Sequence, residues 1–329
     1  MFSSLFLLIS LSSTVVLGNV FTVDLSTLTT QRMDPVVFPD QSPEGHVHSI
    51  VGGSKFSKTS TYEELLSSQC STGNIEKDLS AYWAPTMYVK KADGKFHHVD
   101  MRFAVYYKLI NDKGQTDFNN NPIIPGEFHA FPAGFKMIAG SPSKTAPQHQ
   151  IQHKCLGPVI DTPGFPPNPS DCTGGVRGEV TFPSCWDGHT LESNDQSHVA
   201  YPGPDGFWES GECPSSHPVR LPTLFFEAIY QTQDVGVEMG DELVYSFGDY
   251  SGYGFHGDFV MGWEDGVIDQ LIDYCTYNED GMDTQCNAEE IAGKHGGPNN
   301  SCLWEGVEDP SPFLGELDEL PPCGKSCAP

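Results

Sequence analysis

Two short segments of this chain carry histidines at spacings that suit chemistry. The first reads Gly45-His46-Val47-His48-Ser49-Ile50. In an extended backbone residues two apart share a face, so His46 and His48 would present both imidazoles to one side. Two imidazoles on one face begin a zinc or copper site, and they equally suit a base and an electrophile around a substrate. A structural role, with each ring hydrogen-bonded to nearby backbone, competes with both readings. The second segment reads Gly252-Tyr253-Gly254-Phe255-His256-Gly257-Asp258. Its glycines permit a tight turn and close approach of a ligand. Asp258 shares parity with His256, so its carboxylate is placed to orient the ring. The alternative is a glycine-rich loop whose His–Asp pair fixes only local structure. His46, His48, His256 and Asp258 are the candidate ligands for a divalent metal.

A third stretch, Cys172 to Tyr230, mixes three cysteines with Trp186, Asp187, His198, His217 and Arg220 among glycines and prolines. That mixture builds a polar site more readily than a plain core. His198 and His217 would complete a ring with His46, His48 and His256. Trp186, Asp187, His198 and His217 are the candidate substrate contacts, with tryptophan offering a stacking face or, as often, core packing. Glu227 shares parity with Phe225 and Ile229, which predicts a buried carboxylate. Such a group is either paired, with Arg220 or another cation, or carries a raised pKa that suits a general acid. Two other histidine pairs carry less. Adjacent His97 and His98 would face opposite ways on a strand, and Pro147 with the glutamines around His149 and His153 predicts an exposed loop.

No GxSxG elbow, HExxH helix, Walker loop or EF-hand loop occurs. Serine esterase, zincin, nucleotide triphosphatase and calcium-sensor chemistries lose their usual signatures. A glycosidase needs two carboxylates at a defined separation, and 44 acidic residues nominate no particular pair.

The elements that must position these residues are short. Met101, Phe103, Val105, Tyr107 and Leu109 alternate within 101–110, as on a half-buried strand. Segments 84–91, 135–140, 178–182, 219–230 and 242–248 also predict strands, each bounded by turn formers. Helices are expected just after Ser60 and over 264–275, where Val267, Leu271 and Tyr274 recur at helical spacing. The expected fold is mostly β: a sandwich-like single domain with a few short helices and long disulfide-tied loops.

Residues 1–18 are apolar and uncharged with small residues near the end, the pattern of a secretory signal peptide. No later run approaches the length of a membrane span. Ten cysteines on such a route are expected to pair, with connectivity left open. Residues 19–292 form the expected secreted domain, and 293–329 an acidic, Pro/Gly-rich, cysteine-containing tail. The formal charge of −27 repels nucleic acid and anionic membranes, because phosphate binding requires a basic face.

Several segments together resemble a known family: RMDPVV, GHVHSIVGGSKF, KDLSAYWAPTMYVK, FPAGFKMIAG, TGGVRGEVTFPSCWDG, SHVAYP, CPSSHPVRLPTLFFEAIY and SGYGFHGDFVMGW. The chain is similar, from about Arg32 to Cys275, to the fungal secreted domain of unknown function often followed by WSC carbohydrate-binding modules. The resemblance implies a secreted, fungal-type protein and carries no settled activity. Members usually hold a second cysteine near Cys70, where this chain has Gly73, and no WSC module follows within the sequence.

Three functions are open at this stage. The first is action on extracellular or cell-wall polysaccharide: a histidine base, His48 or His256, with Tyr253 as acid and Arg220 stabilising charge in a β-elimination, or hydrolysis through Glu227. The second is non-catalytic binding of wall or matrix glycan. The third is metal binding by the histidine cluster.

Overall fold

The computed structural model describes residues 20–41, 45–109, 128–203, 211–275, 286–306 and 311–322. The expected leader at 1–18, Trp208, Cys323 and Cys327 lie outside the described residues. In chain order the first strands are β1 (Val20–Ser26), β2 (Thr29–Gln31), β3 (His48–Gly52), β4 (Ala81–Pro85), β5 (Met87–Lys90), β6 (Phe96–His98), β7 (Met101–Lys108) and β8 (Lys136–Gly140). Next come β9 (Ile151–Leu156), β10 (Ile160–Thr162), β11 (Gly175–Thr181), β12 (Cys185–Trp186), β13 (Val199–Ala200), β14 (Val219–Arg220) and β15 (Thr223–Tyr230). The last are β16 (Glu242–Tyr245), β17 (His256–Val260) and β18 (Glu316–Leu317). Among the described residues three short α-helices accompany them: α1 (Tyr62–Leu66), α2 (Val267–Cys275) and α3 (Glu289–Ala292).

Two antiparallel sheets face each other across the main core, as the mostly-β expectation requires. One has the order β1-β7-β15-β11-β9-β10, the other β2-β3-β4-β17-β8. Alternation on β7 and β15 sends Phe103, Val105, Leu224 and Phe226 inward. They meet Val51, Tyr82, Met137 and Phe259 from the second sheet. Gly257 marks the closest approach: a Cβ there would lie 2.8 Å from both Phe226 and Val180. A buried clasp joins the sheets. Tyr82 Oη donates to Asp78 and sits 2.7 Å from Tyr107 Oη, which accepts from Trp263 Nε1.

The second sheet is covered on its other face too. Ile50, Trp83 and Val260 pack there against Met33, Val36, Phe56 and Leu65. Helix α1 enters this layer through a capping box: Thr61 accepts from Glu64 N while the Glu64 carboxylate accepts from Thr61 N.

Sequence expectations hold in kind and shift in detail. The strand expected at 84–91 divides at Thr86, whose N–H donates to Val47 O and whose carbonyl accepts from Ser246 N. The chain thereby leaves one sheet and enters another, ordered β16-β5-β6-β18. The strand expected at 219–230 breaks at Pro222, which has no N–H for a ladder. Its first two residues, β14, join the small sheet β13-β12-β14. The loop expected around His153 is instead β9. His153 is fully buried, with Nε2 2.8 Å from Tyr245 Oη.

Among the described residues four disulfides tie the loops: Cys70–Cys302, Cys155–Cys172, Cys185–Cys213 and Cys275–Cys286. Cys70, which lacks the neighbouring cysteine usual in the resembled family, thus pairs with a cysteine 232 residues away. No helix among the described residues is long and apolar enough to cross a membrane.

Candidate metal centre

His46 and His48 do share a face, and β17 brings His256 to meet them. In register, His48 lies beside Pro85, and one row along the same face Ile50 lies beside Trp83 and Trp83 beside Asp258. His256, two residues before Asp258, therefore projects from the same face as His48. The Nε2 of His256 stands 3.1 Å from that of His46 and 3.4 Å from that of His48. All three rings are buried, at 0–3% exposure. Their ligand atoms lie within 4.8 Å of one another.

Backbone geometry aims these atoms. His48 Nδ1 is 3.2 Å from Met33 O, and His256 Nδ1 is 2.8 Å from Gly254 O. A carbonyl only accepts, so in both rings Nδ1 carries the proton and Nε2 offers its lone pair to the centre. His46 Nε2 faces the lone pair of His256 Nε2. The supports are fixed in turn. Arg32 Nε donates to Gly45 O, just before His46. Asp34 Oδ1 accepts from Val36 N and Val37 N, closing the turn after Met33. Asp249 Oδ2 accepts from Gly254 N. The Phe247 ring lies 4.7 Å from that of His46. At the edge of β17, Gly140 has φ +84°, and a Cβ there would lie 2.9 Å from His256 Cα.

Burial, more than anything else, disfavours charge on these rings. It pushes His256 down to about 4. His46 and His48 fall well below the ordinary histidine value, burial acting first and the neighbouring imidazoles second. All three are neutral at neutral pH, the form that binds metal.

Asp258 projects from the same face and is fully buried, but it is not in the mutually close group. Neither of its carboxylate oxygens meets a hydrogen-bond donor among the described residues. Burial, then the nearby Asp34, raises its pKa well above the ordinary value.

The other sequence candidates sit elsewhere. His198 Nε2–H donates to Lys136 O, and its Nδ1 pairs with Ser193 Oγ at 2.7 Å. His217 Nε2–H donates to Ser197 O. The five-histidine ring is thus three converging histidines and two engaged with backbone carbonyls and neighbouring serines. Asp187 Oδ1 accepts from His189 N and Thr190 N in a turn. Arg220, on β14, donates from Nη1 to Gly211 O and lies over the Phe128 ring. Glu227 is buried as expected, but with Phe225 and Ile229 it occupies the outward face of its sheet, the inward one being Leu224, Phe226 and Ala228. Its cation is Arg177, at 2.9 Å, and Tyr106 Oη donates to it at 3.1 Å. Burial raises its pKa above the ordinary value, and Arg177 opposes that. The Tyr253 ring packs on Gly164, while its carbonyl accepts from Gln148 Nε2. Trp186 lines a cavity of about 450 Å³.

Residues that sequence reasoning missed act through their backbone. Met33 and Gly254 contribute carbonyls, for which no side-chain pattern stands. The positive-φ glycine at 140 has a signal only in the turn after a strand.

A search of the curated proteins and of the solved structures finds no match to this chain. The profile of one family covers residues 34–263, a span that includes His46, His48, His256 and Asp258. On that match the chain belongs to the family described as Domain of unknown function (DUF1996).

Proposed function

We propose that the protein binds a transition-metal cation, zinc or copper, through Nε2 of His46, His48 and His256. The observation that carries this is the convergence of three buried imidazoles, two of them held by Met33 O and Gly254 O in the tautomer that points a lone pair inward. Metal–nitrogen bonds of about 2.0–2.1 Å at tetrahedral or trigonal angles separate neighbouring donors by roughly 3.3–3.6 Å. The separations of 3.1 and 3.4 Å are close to that before any adjustment. Imidazole sets of this kind suit zinc and copper.

Polysaccharide cleavage at His48 or His256 has less support. A base working on a polymer must reach its proton, within hydrogen-bond distance or through one water. These imidazoles are buried and turned on one another. Secretion fits the same reading, because four disulfides suit an oxidising compartment. The single domain at 19–292 with a strapped tail is supported by Cys70–Cys302, by Trp304 Nε1 donating to Phe56 O and by the pairing of β18 with β6.

The test is metal analysis of the purified protein by inductively coupled plasma mass spectrometry, followed by titration of the stripped protein with Zn²⁺ and Cu²⁺. One equivalent of zinc or copper, absent from a His46→Ala, His48→Ala, His256→Ala variant that still folds, is the expected result. No metal in the native protein and no binding on titration would remove the reading.

A further inference from the structure

A second site, on different residues, lies where α1, the start of α2 and the loop before β8 meet. It is the cavity of about 450 Å³, within the size range of small-molecule pockets. Trp186, Tyr62 and Phe131 supply aromatic walls, and Met261 and Ile268 an apolar floor. The walls are held in place. Trp186 Nε1 donates to Thr190 O, with its ring edge-on to Phe135. Tyr62 Oη donates to Trp263 O.

One side of this cavity is acidic. Glu264, Asp265 and Asp269 line it, all three side chains are exposed, and none forms an ion pair among the described residues. No lysine or arginine lines the cavity. The negative field reaches the aromatic wall: after burial, Asp265, Glu63 and Glu264 each push the Tyr62 hydroxyl pKa upward. Unopposed carboxylates beside aromatic faces are complementary to one chemistry, a cation carried on an apolar or ring-shaped body. Carboxylates attract the charge, and ring faces attract it a second time through their quadrupoles.

We propose that this cavity binds a small organic ammonium ion, a free amine or a protonated amino sugar, between Trp186 and Tyr62 with its charge toward Glu264, Asp265 and Asp269. The site is independent of the histidine centre, and its success or failure leaves the metal reading untouched. Anionic ligands are excluded by the same field, in keeping with the chain's net charge of −27.

The test is calorimetric titration of the full protein with benzylammonium and with a β-linked glucosamine disaccharide. Each is compared with its uncharged counterpart, benzyl alcohol and the N-acetylated disaccharide. Saturable binding at low salt, with the cation at least about tenfold tighter than its neutral counterpart and weakening as salt rises, is expected. The arm that binds more tightly identifies the source of the amine. A combined Glu264→Gln, Asp265→Asn, Asp269→Asn variant changes only exposed side chains and should lose the charge preference. Trp186→Leu should weaken both arms. Absence of saturable binding, equal affinity for cation and neutral counterpart, or a preference that survives neutralisation would overturn the proposal.

Discussion

The Nε2 atoms of His46 and His256 lie 3.1 Å apart, although 210 residues separate them in the chain. The contact depends on neither residue alone. It needs β3 and β17 to flank β4, and it needs Gly254 O to turn the His256 ring. Burial then keeps both rings neutral, so the pair faces inward as donors and not as repelling cations.

Loss of one ligand should be felt in metal affinity far more than in the fold. His48→Ala or His256→Ala is expected to weaken zinc or copper binding by more than about 100-fold, beyond the range typical of outer-sphere changes. Metal at about 100 times its Kd stabilises a protein by roughly 2.7 kcal/mol. A thermal shift on adding metal should therefore appear in the native protein and vanish in either variant. An equal shift in both would show binding elsewhere.

Gly140 supports the centre from the neighbouring strand. Gly140→Ala sets a Cβ 2.5 Å from Phe255 O and 2.9 Å from His256 Cα, at a φ that disfavours side chains. Destabilisation of about 1–3 kcal/mol is expected, together with weakened metal binding, because the backbone that must yield carries a ligand. Denaturant midpoints and metal titrations read the two effects separately. A variant as stable as the native protein would contradict this packing.

His153 should make the protein acid-sensitive. Burial lowers its pKa from 6.5 to about 3. Between those values the unfolded chain holds a proton that the folded chain does not, so stability is full above about pH 6.5 and declines as pH falls toward 3. His153→Phe removes that term. Its stability should fall less steeply with acid, by up to about 1.4 kcal/mol per pH unit within the window. At neutral pH it should be somewhat less stable than the native protein, since the Tyr245 hydroxyl loses its bond to the imidazole. Parallel stability–pH curves for the two proteins would refute the assignment.

The Tyr107 hydroxyl bridges the two sheets between Tyr82 and Trp263. Tyr107→Phe keeps the ring and leaves the buried Trp263 N–H without its acceptor. A cost of about 1–3 kcal/mol is expected. It should be read as a lower denaturant midpoint with an unchanged slope. A midpoint unchanged within error would mean the network contributes nothing net.

What the sequence alone determined was local in origin. Period-two alternation over 101–110 marked β7 and its buried face, because side-chain direction in a strand follows from backbone geometry. The same rule placed His46 with His48 and His256 with Asp258. Family membership was also legible, since it rests on strings of residues. Tertiary structure decided what depends on strand order and chain crossings. Thr86 and Pro222 divided two expected strands, one because its backbone bonds span sheets and the other because it lacks a donor. Parity told that Phe225, Glu227 and Ile229 share a face, but not that this face points outward, for parity has no sign until a second sheet covers one side. His153 looked exposed among polar neighbours and is buried by strand pairing. The choice of His256, and not His198 or His217, as partner to His46 and His48 was made by β4 lying between β3 and β17. Spacing along the chain is silent on that order, because sheet neighbours are selected by packing over long separations.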